Sequence, residues 1–432
     1  MPRIALVGLG VLVLVSCDKS PTTPAVQQQS MAFARAAAHG GGGAPFQDVI
    51  AGEFFSCALN ARGDAFCWGI NEFGNLGAGD IVDATAPRQV VGDIAFSSLT
   101  AAGSHVCGLA RAGAAYCWGQ NASRELGVET TDICHRTNGS EIPCSVRPVA
   151  VSGDVRFESI DAGFRHNCGL TAQGDAYCWG WNQYGQLGTT TTEICLSDGV
   201  TPNGCSTTPV LVSGGLRFKA ISAGFWQTCA LALDDQTYCW GNNVLGTFGN
   251  GTTGAGSTTP VPGASGVAFG SLSSGAGAAC GITLDRITMC WGGINAAGEL
   301  GDGTNARHLT PQPIAGDFVK VQSVNTMNEN NVLAHVCAIG AKGEARCWGS
   351  NRRGELGVAT TQTCTFSTLV FSCSNVPVTV SGDYRFQSVA AGLEHTCGAT
   401  RREVLCWGRN DRGQLGDGST TDRPEPVAVA FP

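Results

Sequence analysis

The sequence predicts an all-β fold, a seven-bladed β-propeller of four-stranded antiparallel blades, and three observations carry that prediction. A Cys-Trp-Gly tripeptide occurs seven times, with its tryptophans at Trp68, Trp118, Trp179, Trp240, Trp291, Trp348 and Trp407, spaced 50, 61, 61, 51, 57 and 59 residues apart. Self-similarity at such a period marks a unit that buries its apolar face only by stacking on copies of itself, and about 55 residues per copy is the size of a four-strand blade. The composition agrees, because 61 glycines and 14% charged residues suit many short strands and turns better than long helices.

The second unit shows the plan. Ile94-Ala-Phe-Ser-Ser-Leu-Thr-Ala-Ala-Gly103 is the first strand, A, and Ser104-His105-Val-Cys107-Gly-Leu-Ala110 is strand B. Arg111-Ala-Gly113 turns the chain, and Ala115-Tyr116-Cys117-Trp118-Gly119 returns as strand C in a tight hairpin. After a glycine-rich connection, Arg147-Pro-Val-Ala-Val151 is strand D, with its proline at the strand start, where no ladder donor is lost. The same order is traced in all seven units, with lapses: Phe248 stands in for the leucine of Gly-x-Leu-Gly in the fourth, Gly292-Gly293 adds a residue in the fifth, and Asn328-Glu-Asn-Asn331 replaces Ala-Gly in the sixth. The chain opens with an A strand, Phe46-Gln-Asp-Val-Ile50, and closes with a D strand, Pro426-Val-Ala-Val429, so the first blade can close on the last without leaving an open edge.

Ahead of this ring, residues 1–16 carry Arg3 and then an apolar core over residues 4–15, too short to span a bilayer as a helix. This reads as an export signal. Leu14-Val15-Ser16-Cys17 resembles the bacterial lipoprotein box, making Cys17 the expected lipidation site; the alternative is a secretory signal with an incidental cysteine. Asp18 directly after the lipidated cysteine retains some bacterial lipoproteins at the inner membrane. Residues 17–45, rich in Pro, Thr, Gln and Gly, read as a flexible tether spanning roughly 30 Å as a coil.

Of 21 cysteines, Cys17 stands alone and twenty fall into ten local pairs. Seven pairs lie in the B–C hairpins: Cys57 with Cys67, Cys107 with Cys117, Cys168 with Cys178, Cys229 with Cys239, Cys280 with Cys290, Cys337 with Cys347, and Cys397 with Cys406. Opposed hairpin positions bring Cα atoms within disulfide range, and each closed loop is expected to stabilise its blade by about 2 to 3 kcal/mol. Three more pairs, Cys134 with Cys144, Cys195 with Cys205, and Cys364 with Cys373, sit in loop insertions between strands C and D of units two, three and six. Cysteine as a small core residue and zinc ligation are the alternatives; neither explains an even division into neighbouring pairs in an exported chain.

The repeated Ala-Gly-x-x-His, Trp-Gly-x-Asn and Gly-Gln-Leu-Gly elements resemble the regulator of chromosome condensation repeat, over residues 46–432. That resemblance implies a seven-bladed propeller and two functional precedents, nucleotide exchange on a small nuclear GTPase with chromatin attachment, and β-lactamase inhibition by a secreted bacterial propeller. The first is disfavoured for a chain with an export signal and no basic tail. A net charge of -8 without a basic run also speaks against nucleic acid.

Strand direction alternates, so the A–B and C–D connections of every blade share one face, to which all three insertions belong. Phe54, Phe55, Phe164, Arg165, Trp181, Phe225 and Trp226 are its candidate binding residues, since large aromatics and arginine anchor protein interfaces. His105, His166, His335 and His395, each two residues before a hairpin cysteine, are spread one per blade and read as structural rather than as a metal or catalytic ring. No catalytic, metal or cofactor motif stands out, and Asp302-Gly-Thr304 and Asp417-Gly-Ser419 read as turns. The expectation is a non-enzymatic, monomeric lipoprotein, periplasmic or on the cell surface, that meets the membrane through its anchor alone and binds a protein or glycan partner; the alternatives are a carbohydrate binder using Trp181 and Trp226, or an envelope hydrolase.

Overall fold

The computed structural model describes residues 45–135, 139–196, 201–264, 266–324 and 334–432. The export signal, Cys17, all but the last residue of the tether and the Asn328-Glu-Asn-Asn331 lapse lie outside them. Seven antiparallel sheets follow one another, each built from a contiguous stretch of chain in the order A-B-C-D. Blade 1 comprises Phe46–Ala51, Phe55–Asn60, Ala65–Gly69 and Ala84–Gln89, and blade 7 comprises Phe386–Ala391, His395–Thr400, Val404–Gly408 and Arg423–Ala428. The A strands line a central cavity of about 300 Å³, so the D strands form the outer edge.

Three blades depart from the four-strand plan. The stapled insertions, expected as loops, are β-hairpins: short strands Asp132–His135, Glu193–Leu196 and Thr363–Phe366 pair with lengthened D strands, Glu141–Ala150, Pro202–Leu211 and Leu369–Thr379. Blades 2, 3 and 6 are therefore five-stranded. Two of these hairpins lean on the blade before them, where Phe73 packs against Cys134, Ile142 and Cys144, and Ala297 against Cys364, Phe371 and Cys373.

The seven Cys-Trp-Gly tryptophans are buried in the seams between blades, and each indole N–H donates to a backbone carbonyl of the preceding blade. The acceptors are the second residues of the Gly-x-Leu-Gly runs, as in Trp118 to Asn75 (3.0 Å), Trp240 to Gln186 (2.9 Å) and Trp348 to Glu299 (3.0 Å). Trp68 completes the circle by donating to Gln414 of blade 7 at 2.9 Å. The asparagine of Trp-Gly-x-Asn holds the acceptor loop in shape. Its Oδ1 accepts the N–H of the leucine, 2.9 Å from Asn71 to Leu76 and 3.0 Å from Asn243 to Phe248, so phenylalanine does fill the leucine's place in blade 4.

Two glycine positions follow from this geometry. The glycine after each tryptophan sits at a bulge in the C–D ladder with positive φ, and a Cβ on Gly69 would stand 2.5 Å from the Phe54 carbonyl. The last glycine of Gly-x-Leu-Gly, at φ 67° in Gly301, lies against the next blade's tryptophan, and a Cβ there would meet Trp348 Nε1 at 2.7 Å.

The B–C cysteines face each other in register and are bonded, one disulfide to a blade. Cys57 is joined to Cys67, Cys107 to Cys117, Cys168 to Cys178 and Cys229 to Cys239, each with Cα atoms 4.1 Å apart. Cys280 is joined to Cys290, Cys337 to Cys347 and Cys397 to Cys406 at the same 4.1 Å, so the shorter turn of blade 7 leaves the opposition of its cysteines unchanged. The insertion disulfides Cys134–Cys144, Cys195–Cys205 and Cys364–Cys373 join positions out of register, with Cα separations of 5.8 to 5.9 Å. Ten disulfides point to an oxidising, extracytoplasmic compartment. Around the cavity, side chains of one A strand accept the backbone N–H of the next: Thr100 from Ala162 (3.0 Å), Asp161 from Ala223 (2.9 Å), Ser222 from Ser274 (2.9 Å) and Ser273 from Ser323 (2.8 Å).

Gly301→Ala is expected to lower the unfolding midpoint clearly more than Gly303→Ala. Both glycines have positive φ, at 67° and 85°, but a Cβ on Gly303 approaches nothing closer than 3.8 Å. Backbone strain alone costs about 1 to 3 kcal/mol, and only Gly301 adds a clash with the seam tryptophan. Equal losses in parallel thermal melts would remove the seam's role.

Candidate functional site

The face bearing the A–B and C–D connections, here called the loop face, carries most of the sequence-derived candidates, and they fall into three groups. Phe164, Phe225, Trp226 and Trp181 form one patch over blades 3 and 4, extended by Tyr184. Its ring centroids follow in a chain: Phe164 to Phe225 4.3 Å, Phe225 to Trp226 4.6 Å, Trp226 to Tyr184 5.3 Å and Tyr184 to Trp181 5.3 Å. Arg165 lies 5.4 Å from the Phe164 ring centre. Backbone hydrogen bonds fix the loops beneath, from Phe164 N–H to the Gly224 carbonyl at 3.2 Å and from Trp181 N–H to the Arg165 carbonyl at 2.9 Å. Phe164, Arg165, Tyr184 and Trp226 are half-buried, whereas Trp181 and Phe225 are mostly covered and act as the floor.

Phe54 stands apart at the seam of blades 7 and 1, with the Arg409 guanidinium 4.9 Å from its ring centre. That guanidinium is itself held by Glu394 and Asp411, each at 2.7 Å. Phe55 is not a surface residue at all. It is fully buried with Cys57, Trp118 and Leu99, because it lies two residues before the hairpin cysteine, the position that four other blades give to a buried histidine. Tyr184 was not among the sequence candidates. The signal for it was present, since it and Phe73 are the aromatic residues two places after the Trp-Gly-x-Asn asparagine.

The four histidines lie in separate seams. His166 Nε2 meets Thr228 Oγ1 of the next blade at 2.9 Å, and that hydroxyl donates to the Gln186 carbonyl at 3.0 Å, the same carbonyl that receives the Trp240 indole. His335 with Thr396 (2.8 Å), His395 with Ser56 (2.9 Å) and His105 with Asn167 (3.1 Å) repeat the relay. Because each partner offers an oxygen whose own proton, or amide N–H, is directed to a carbonyl, the histidine donates from Nε2. Burial disfavours the charged ring, pushing His105 down to about 4 and the other three to about 3. Blade 4 does the same work with an amide, Gln227 Nε2 donating to the Gly275 carbonyl at 2.8 Å.

Buried carboxylates are displaced the other way. Burial raises Glu125 and Glu299 to about 7 and Asp161 to about 6. Glu299 and Glu355 occupy the second position of Gly-x-Leu-Gly, as Glu125 does in the Arg124-Glu-Leu-Gly127 run of blade 2, where blades 3 and 7 use Gln186 and Gln414. Among the described residues, one cluster has metal-ligand spacing, Glu193 with Cys195 and Cys205, but both sulfurs are in a disulfide and no thiolate is offered.

Two profiles of the Regulator of chromosome condensation (RCC1) repeat match the chain, one over residues 46–75, 157–186 and 386–414, the other over residues 62–109, 173–231, 342–399 and 403–432, together more than half of it. The chain belongs to the RCC1-repeat family. Among RCC1-repeat relatives, the ultraviolet-B receptor UVR8 of Arabidopsis thaliana is 28% identical over 393 residues, covering 88% of this chain and 81% of the receptor. Human E3 ubiquitin-protein ligase HERC2 is also 28% identical, over 60% of this chain but only 5% of its own length. Among solved structures, Saccharomyces cerevisiae Prp20p, studied for binding to Gsp1p and histones, superposes with a TM-score of 0.68 at 18% identity, covering 92% of this chain and 88% of Prp20p. Human WBSCR16 gives 0.67 at 18% identity, covering 83% and 87%. At such identity these structures establish the fold.

The pH dependence of stability follows from the two displaced sets. For the histidines, whose folded pKa lies below the ordinary 6.5, stability is fully present above 6.5 and is lost as pH falls toward about 3. For the glutamates, raised from 4.5 to about 7, stability is present below 4.5 and is lost as pH rises to about 7. His166→Gln is therefore expected to fold and to flatten the acid limb of a melting-temperature profile. Glu299→Gln is expected to flatten the limb from pH 4.5 to 7 and to raise the melting temperature at pH 8. Profiles parallel to the parent protein would disprove both assignments.

Proposed function

We propose that the chain is an exported, lipid-anchored propeller that binds another protein through the loop face, without catalysis of its own. In this reading residues 1–16 are a lipoprotein signal, Cys17 takes the lipid, residues 17–45 are the tether and residues 46–432 are the binding module. The observation that carries it is the chain of five rings over blades 3 and 4. Tyr and Trp present large contact area at little entropic cost, and here each ring is packed on the next, so the surface is set before a partner arrives. The RCC1-repeat architecture, and the binding properties for which Prp20p was studied, support a scaffold role. The carboxylates near Phe54 are tied to Arg409, which suits a structural brace more than acid-base chemistry.

Crosslinking and pull-down from the native envelope provides the test. Tyr184→Ala and Trp226→Ala, half-exposed and outside the seams, are expected to leave the melt and the disulfides unchanged while weakening partner capture at least tenfold each, the scale of an interface hot spot. A partner retained by both variants would overturn the assignment of the patch, and a polysaccharide released by both would place a glycan there instead.

A further inference from the structure

The opposite face, formed by the B–C turns and the D–A connections, bears a groove of about 600 Å³ between blades 6 and 7. Its charged lining is Lys342, Arg385, Arg401 and Arg402 against Asp383 and Glu403. Arg385 is paired with Asp383 at 2.8 Å, and the nearby Glu344 is paired with Arg346 at 3.9 Å. Lys342, Arg401 and Arg402 take part in none of the ion pairs among the described residues. The groove therefore keeps a positive surplus on a chain whose net charge is -8.

The chain also arrives on this face. The Pro45 carbonyl accepts the Ala61 N–H at 2.9 Å, at the B–C turn of blade 1, and Phe46 stacks on Phe431 at 4.1 Å, where blade 1 closes against blade 7. Anything holding residue 17 is thus linked, through residues 17–45, to the side of the disc that carries the basic groove.

We propose that this groove binds the phosphate of anionic phospholipid head groups, of the phosphatidylglycerol class, in the membrane that holds the anchor. The propeller then rests with its turn-bearing face on the bilayer and the aromatic patch of blades 3 and 4 directed outward. An acidic surface is repelled by the chain as a whole, so orientation is decided by where unpaired cations stand. The presence of a membrane rests on the lipid-anchor reading, but the affinity of the groove does not.

The propeller alone, residues 45–432, is a fair probe, since all ten disulfides and the seam between blades 7 and 1 lie within it. In flotation with phosphatidylcholine vesicles, adding phosphatidylglycerol is expected to raise the bound fraction, and added salt to lower it. Lys342→Gln, Arg401→Gln and Arg402→Gln should each reduce partitioning roughly fivefold, and Glu403→Gln should increase it. Because these side chains are at the surface, unchanged melts will show that the variants fold. Equal flotation on both vesicle types, or binding that none of the substitutions alters, overturns the proposal. Saturation by inorganic phosphate, or capture of an acidic protein, with no vesicle binding does the same. The mass of the amino-terminal peptide reads the anchor separately: an unacylated Cys17 with persistent vesicle binding removes the anchor and leaves the groove.

Discussion

The ring depends on one repeated contact, the indole N–H of each strand C tryptophan on a backbone carbonyl of the blade before it. A buried carbonyl without a partner carries a desolvation penalty, and so does a buried indole N–H, so each satisfies the other and fixes how two blades meet. Around that bond the other repeated residues acquire their roles. Asparagine shapes the loop that offers the carbonyl, the terminal glycine makes room for the incoming ring, and in most seams a histidine, or glutamine in its place, reaches across to the next blade. Packing then follows from the bond, with the tryptophans among the largest fully buried side chains of the chain.

Much of this was legible in the residues. The repetition of Cys-Trp-Gly gave the number of blades, and a cysteine on each arm of every B–C hairpin, spaced ten residues apart in six and nine in the seventh, gave the opposed positions. The insertions were harder, because Thr, Ser, Asn and Gly dominate them and the apolar alternation that marks a strand is reduced to a few residues such as Ile133 and Cys134. In two of the three, the hairpin packs on a residue of the neighbouring blade, Phe73 or Ala297, and a single unit does not display that. Phe55 was misplaced for a related reason. Read along the chain it is half of an aromatic pair, but read across the copies it occupies the histidine position, and only the second reading reports burial.

The aromatic patch shows where reading by repeat loses force. Its members come from two blades and two kinds of loop, and the equivalents of Tyr184 elsewhere are Phe73, Ser123, Leu245, Ala297, Arg353 and Arg412, a set without a common chemistry. Repetition dictates the buried seams, while the loop tips are left to vary, so what distinguishes this propeller from its relatives collects there. Buried positions vary too: the residue that offers the seam carbonyl is glutamate or glutamine in five blades and Asn75 or Thr247 in the other two, and burial raises the glutamates toward the neutral form, which narrows their difference from glutamine.

The join between blade 7 and blade 1 uses the same indole-to-carbonyl bond as the other joins, with Phe431 stacked on Phe46 in addition. No strand crosses it, and Trp68, His395, Ser56 and Gly416 meet there as their counterparts meet elsewhere. Because each blade is one contiguous stretch of chain and every join carries that same bond, the circle can be opened between other pairs of blades without cutting a hairpin. The architecture is thus suited to growth by duplicating whole blades and to shuffling their order, with each cystine travelling inside the segment that carries it.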